Sequence, residues 1–172
     1  MKLDKYCPGC GGGEGNQSCK IAKCSIQHGR LEYCSQCSEF PCDKYVKTEE
    51  YDIFITHRNW KQDFEKMKEM GVESYNSQQR EKLEILRVLL EHYNDGRRKS
   101  FFCLAVNLLD LEDLKIVMKH LMEGNQQEDF TQKEKSVYAV KQLQSIGEQR
   151  GISLKWNGKP RKTKSIVCLK EP

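Results

Sequence analysis

Seven of the nine cysteines in this chain of 172 residues lie between Cys7 and Cys42, and this cluster constrains the fold more than any other feature. The segment that holds it, residues 1–45, has few apolar residues from which to build a core. Five glycines between Gly9 and Gly15 add backbone freedom that opposes a regular helix there. A segment of this composition needs something other than hydrophobic burial to hold it together.

The spacing of the cysteines is typical of metal ligands. Two Cys-x2-Cys pairs are present, Cys7 with Cys10 and Cys34 with Cys37. Such a pair directs two thiolates at one ion across a tight turn, and two pairs supply the four soft ligands that tetrahedral Zn²⁺ prefers. With His28, the ligand count would suffice for two sites. We therefore predict one or two zinc ions, and the candidate ligands are Cys7, Cys10, Cys19, Cys24, Cys34, Cys37, Cys42 and His28.

Other interpretations of the cluster remain open at the level of sequence. Disulfides need an oxidising compartment, and no secretory signal is visible, so we expect a cytoplasmic protein with reduced thiols. An iron–sulfur cluster is the alternative cofactor, although the C-x2-C-x2-C-x3-C-P run is missing. A single zinc site with spare thiols also fits the spacing, as does a solvent-exposed His28 that binds no metal.

From about residue 56 onward, apolar residues recur at helical spacing. Ser100 is the expected N-cap of one helix, Thr131 and Glu134 form a capping box for another, and Leu83 is expected on the buried face of a third. Four of the candidates end near a glycine, which is a common stop signal. The predicted helices cover residues 59–70, 78–93, 101–109, 110–122 and 131–150.

The last part of the chain is basic. Residues 151–172 carry six basic side chains and one acidic side chain, whereas the net charge of the whole chain is +4. Residues 152–156 and 165–169 form short β-like runs. Several cations lie near a tryptophan in this tail, a combination that would suit nucleic-acid phosphates and a stacked base. These residues are Lys155, Trp156, Lys159, Arg161, Lys162 and Lys164.

The predicted architecture is mainly α. We expect a small Gly/Cys-rich zinc-binding module at residues 1–45, a helical domain of four to five helices at 46–150, and a basic, β-like tail at 151–172. The longest unbroken apolar run, residues 101–106, is too short to cross a membrane. No general base is placed beside Cys103 and no carboxylate pair is found, so no catalytic residue is assigned.

The functional prediction follows from the ligand type. All-thiolate zinc sites are usually closed, so the zinc is expected to be structural and the protein to be an interaction module for an unidentified protein partner. One alternative is a nucleic-acid-binding protein that uses the zinc module and the basic tail. The other is a redox protein that uses an iron–sulfur cluster or the thiol of Cys103.

The motifs CPGC, SCKIAKCSIQHG and EYCSQCSEFPC, with the later YNDGRRKSFFCLAVNLL, resemble the DUF3795 family over most of residues 7–122. Members are small cysteine-rich prokaryotic proteins of unknown function, so the resemblance implies bound zinc and no particular reaction. Members often carry a further Cys-Gly-x-x-Cys segment ahead of the CPGC, and this sequence does not. By that comparison one site is incomplete here, or it is closed by His28.

Overall fold

The computed structural model describes residues 20–45, 50–52, 56–124 and 130–159, and this part of the chain is mainly helical. It contains no β-strand. None of its helices is long and apolar enough to cross a membrane. The helices are α1 (Lys20–Gln27), α2 (Trp60–Met70), α3 (Val72–His92), α4 (Lys99–Leu108), α5 (Leu111–Gly124) and α6 (Gln132–Gln149).

Two helix ends follow directly from the sequence. The side chain of Thr131 accepts the backbone N–H of Glu134, and the Glu134 carboxylate accepts the backbone N–H of Thr131, so the predicted capping box starts α6. Gly71 ends α2 with a φ of 84° and at once precedes α3. Because glycine adopts positive φ without a steric penalty, the two helices need no longer loop, and α3 begins six residues before the predicted Gln78.

The expected N-cap at Ser100 is wrong. The N-cap of α4 is Arg98, and Ser100 lies inside the helix. The turn before α4 explains the difference, since the Asn94 side chain accepts the N–H groups of Gly96 and Arg98. These bonds order the chain ahead of Ser100, and the helix therefore begins at Lys99.

The core lies among α3, α4, α5 and α6. Burying each large apolar side chain contributes roughly 1.5–3 kcal/mol, so these helices carry most of the hydrophobic stabilisation. The fully buried large side chains include Leu89, Phe102, Leu109, Leu114, Leu121 and Leu143.

The expectation that Leu83 is buried is wrong, because this side chain is 55% exposed and Lys82 lies inward instead. The Lys82 ammonium donates to the carbonyl oxygen of Asn107 at 3.4 Å and interacts with the carboxylate of Asp63 on α2. Burial lowers the pKa of Lys82 and raises the pKa of Asp63, which also accepts a hydrogen bond from the Tyr75 hydroxyl. A polar cluster therefore takes the place of an apolar contact at this end of α3.

The predicted β-like run at residues 152–156 forms no strand. Its carbonyl groups bond to a side chain, since Arg58 donates to the carbonyl oxygens of Ser153 at 2.8 Å and Lys155 at 3.1 Å. Next along the chain, Asp52 and Asn157 pair with each other. We call the contacts of Asp52, Arg58 and Asn157 the tail anchor. The second predicted run, residues 165–169, lies outside the described residues.

Candidate metal centre

Helix α1 positions the first of the described cysteines. Its small residues Ala22 and Ser25 face inward, and the Ser25 hydroxyl donates to the carbonyl oxygen of Leu31 at 2.5 Å. Gly29, with a φ of 89°, then reverses the chain. This turn directs the segment that follows back towards Cys24 on α1. Sequence analysis missed α1, because its eight residues offer too short a window for a helical pattern.

Two tight turns position the other three described cysteines. A 3-10 turn runs from Cys34 to Gln36, and the N–H of Cys37 donates to the carbonyl oxygen of Cys34 at 3.0 Å. In the next turn, the N–H of Tyr45 donates to the carbonyl oxygen of Cys42 at 3.0 Å. The first turn is the short loop expected of a Cys-x2-Cys ligand pair.

The thiol of Cys34 interacts electrostatically with three other thiols. Burial raises its pKa most, a hydrogen bond with Tyr45 lowers it, and the charges of Cys24, Cys42 and Cys37 raise it again. All four cysteines are free thiols. Thiols of this kind are the soft donors that a divalent cation such as Zn²⁺ prefers.

The side chains of His28 and Lys44 both lie beside Cys24. The ring Nδ1 of His28 lies 3.5 Å from the Cys24 sulfur and 2.9 Å from the Cys24 carbonyl oxygen. Because a carbonyl only accepts, Nδ1 carries the proton in that contact, which leaves Nε2 as the metal-binding nitrogen. Nε2 lies 3.7 Å from the carboxylate of Glu39. The ammonium of Lys44 hydrogen-bonds to Cys24, whose charge raises the pKa of Lys44.

The predicted ligand set divides into two groups. Cys24, Cys34, Cys37, Cys42 and His28 lie among the described residues, whereas the other predicted ligands, Cys7, Cys10 and Cys19, lie outside them. Within the described ranges, no three His, Cys, Asp or Glu side chains stand close enough together to hold one metal ion. The donor type nevertheless fits zinc, since four thiols from two turns and a helix match the set that structural sites use.

The segment that holds these thiols has almost no core. We call residues 20–45 the cysteine segment, and in it only Ala22 and Ser25 are buried. Neither side chain removes much apolar surface from water, so hydrophobic burial within the segment contributes little to its folding. Its turns need another source of stability.

An aromatic cluster of Phe40, Tyr45, Trp60 and Phe64 attaches the cysteine segment to α2. Ring centroids are 4.6 Å apart for Phe40 and Phe64, and 4.6 Å apart for Tyr45 and Trp60. Aromatic pairs in such geometry contribute about 0.5–1.5 kcal/mol each beyond the area they bury. The predicted helix at residues 59–70 includes Trp60 and Phe64, but sequence analysis missed their partners on either side of Cys42.

A hydrogen bond makes a second attachment. The Asn76 amide of α3 donates to the Tyr33 hydroxyl at 3.0 Å, and Tyr33 directly precedes Cys34. The cysteine segment is therefore held to both α2 and α3 by residues adjacent to its thiols.

The isolated Cys103 has a different environment. It lies on α4, where burial raises its pKa and Lys99 lowers it by less. A thiol with a raised pKa has less thiolate at neutral pH, and the thiolate is the nucleophile. A partly buried thiol on a helix is typical of a packing residue.

The comparisons with known proteins point to the same segment. Residues 1–47 match a family model described as a protein of unknown function, DUF3795. The family resemblance is confirmed there. The matched range ends before α2, so it includes the cysteine cluster and none of the helices that form the core. No curated protein and no solved structure matches the chain.

Proposed function

We propose that residues 1–45 form a zinc-binding module in which the zinc is structural. Cys24, Cys34, Cys37 and Cys42 provide one four-thiolate site. A second ion would use the remaining candidates, namely Cys7, Cys10, Cys19 and His28.

One observation supports this proposal above all others. The cysteine segment contains four thiols, three of which raise the pKa of the fourth, Cys34, and only Ala22 and Ser25 are buried in it. Structural zinc sites contribute folding free energy directly, and apparent values in small zinc-binding peptides are about 10–16 kcal/mol. A bound ion would therefore supply the stability that this segment cannot obtain from burial.

The donor type argues for a structural role. Catalytic zinc sites keep one position open for water and mix histidine or carboxylate with their ligands, whereas four thiolates close the coordination sphere. The DUF3795 segment would then present a rigid surface. In the proposal it binds a protein partner in the cytoplasm, where the thiols stay reduced. Ile26 on α1 is 59% exposed, and in the proposal it is the apolar side chain that such a partner would contact.

The zinc content of protein purified without oxygen tests the proposal. We expect one to two zinc ions per chain in the unaltered protein. Cys34→Ser and Cys37→Ser should each lose one ion, because each removes a ligand from the four-thiolate site. Cys103→Ser is the matched control, since that thiol lies on α4, and it should retain all of the zinc.

Three results would contradict the proposal. The first is a protein that contains no zinc after purification without oxygen. The second is full zinc content in a Cys34→Ser, Cys37→Ser double variant. The third is a brown protein with visible absorbance and bound iron, which would show that the cofactor is an iron–sulfur cluster and not zinc.

The interaction role has a separate test. A photo-crosslinking amino acid at position 26 should capture a partner in cells, and the yield should fall in the Cys34→Ser variant. The same probe at the exposed Val137 of α6 serves as the control. Equal yields at both positions would contradict a partner site on α1.

A further inference from the structure

Trp156 is exposed in a way that hydrophobic burial does not explain. Its side chain is 47% exposed, although a tryptophan gains more from burial than most residues. The other large apolar side chains exposed in the described residues all lie on helices, on α1, α3, α5 and α6. Trp156 instead lies in the segment after α6, within the part of the chain that is richest in cations.

The tail anchor fixes the backbone on both sides of this tryptophan. Before it, the carbonyl oxygen of Lys155 accepts a hydrogen bond from Arg58 at 3.1 Å. After it, the N–H of Asn157 donates to the carboxylate of Asp52 at 2.8 Å, and the N–H of Asp52 donates back to the carbonyl oxygen of Asn157 at 2.6 Å. The indole therefore sits on an ordered backbone and still faces solvent.

Gly158 leaves space beside the ring. A Cβ atom at this position would lie 3.7 Å from Cδ1 of the Trp156 indole and 3.8 Å from its Nε1. A larger side chain would cover this edge of the indole. Glycine keeps it accessible.

The charge around the indole is positive. Lys155 and Lys159 flank it, and the Lys159 ammonium lies 5.4 Å from the ring centroid of Tyr51. The nearby carboxylate of Asp52 has a side chain only 1% exposed and pairs with Arg58 at 3.5 Å, so it does not offset the lysines at the surface. Two lysines therefore lie within three positions of Trp156 in the sequence and supply positive charge to this segment.

We propose that Trp156, Lys155 and Lys159 form a binding site for single-stranded nucleic acid. A base stacks on the indole, and the adjacent phosphates pair with the two ammonium groups. A protein partner would need a larger contiguous apolar patch than one ring between cations. The site uses no cysteine and does not depend on the proposed zinc.

A titration with single-stranded oligonucleotide tests this site in the full chain. The probe is a short fluorescein-labelled oligothymidylate, and its anisotropy reports binding. Trp156→Ala should weaken binding about 10-fold, since base–aromatic stacking contributes roughly 1–3 kcal/mol per base. Trp156→Phe should retain most of the affinity because it keeps an aromatic face.

Two further variants measure the contribution of charge. Lys155→Gln combined with Lys159→Gln should flatten the dependence of log affinity on log salt concentration by about 0.7 per lysine removed. Lys133→Gln combined with Lys141→Gln on the exposed side of α6 is the charge-matched control, and Val137→Ala on the same helix controls for truncation of an exposed apolar side chain. Both controls should leave the affinity and the salt slope unchanged.

Several outcomes would overturn the proposal. No binding at low salt would do so, as would equal affinity for Trp156→Ala. A polyglutamate chain that competes as well as the oligonucleotide would assign the site to acidic proteins. A duplex that binds more tightly than the single strand would exclude base stacking as the mode of recognition.

Discussion

The cysteine segment and the helices α3 to α6 differ in what they have available to offset the entropy cost of folding. Ordering a residue costs about 1–2 kcal/mol of backbone entropy, whichever region it belongs to. The helices offset this cost by excluding water from side chains such as Leu114 and Phe102. The cysteine segment buries only Ala22 and Ser25, and what it concentrates instead is sulfur. The stability of the two regions should therefore respond to different perturbations.

The largest expected effect is the response to metal removal. A chelator under reducing conditions should abolish the hydrogen-exchange protection of α1, whereas α3 to α6 should keep theirs, since their stability comes from burial. Exchange measured residue by residue distinguishes the two regions. The two regions would not differ in their source of stability if α1 stayed protected after all metal had been removed, or if α3 to α6 lost protection together with it.

The reverse perturbation is a cavity in the helical core. Leu114→Ala should lower the free energy of unfolding by about 2–5 kcal/mol, because Leu114 is fully buried. Leu83→Ala, at an exposed position of α3, should change it by less than about 0.5 kcal/mol. Denaturant titration measures both values, and zinc content should be unaltered in both variants. A similar loss in the two variants would mean that α3 is packed differently.

A smaller effect is expected where the two regions meet. Tyr33→Phe removes the acceptor of the Asn76 amide and should cost about 0.5–1.5 kcal/mol. A double-mutant cycle with Asn76→Ala isolates the pair, since the second substitution should cost less once the first has been made. Additive costs would argue that the hydrogen bond does not join the segment to α3.

The smallest effect is a pH dependence within the helical region. Because burial raises the pKa of Asp63, the folded state binds a proton there more readily than the unfolded state. The resulting stabilisation is fully present below the unfolded pKa and is lost as pH rises through the folded pKa. The unfolding free energy of the unaltered protein relative to Asp63→Asn should therefore increase as pH falls from about 7 to about 4. Urea titrations across this range measure it, and a constant difference would contradict the assignment.

Local signals in the sequence predicted local structure well. The capping box of Thr131 and Glu134 and the stop at Gly71 are each decided by a few neighbouring residues, and both are present. The mainly helical fold was also predictable from the local spacing of apolar residues. The family resemblance was predictable from the local spacing of the cysteines.

Contacts between distant residues were not predictable in this way. The inward turn of Lys82 depends on Asp63 across two helices, and periodicity alone favoured Leu83. The aromatic cluster joins Phe40 to Phe64, and no local pattern relates them. Sequence spacing also cannot assign thiols to individual metal ions, because that depends on how the turns fold together.

The tail anchor joins residues that are synthesised at well-separated times. Asp52 and Asn157 are separated by 105 positions, and each helix from α2 to α6 lies between them. At a translation rate of roughly 5–20 residues per second, Asp52 leaves the ribosome several seconds before Asn157 is made. During that interval its carboxylate stays hydrated, and the lysines around Trp156 do not yet exist. The tail anchor therefore closes only after α2 to α6 have been synthesised, and a chain truncated before residue 157 never closes it.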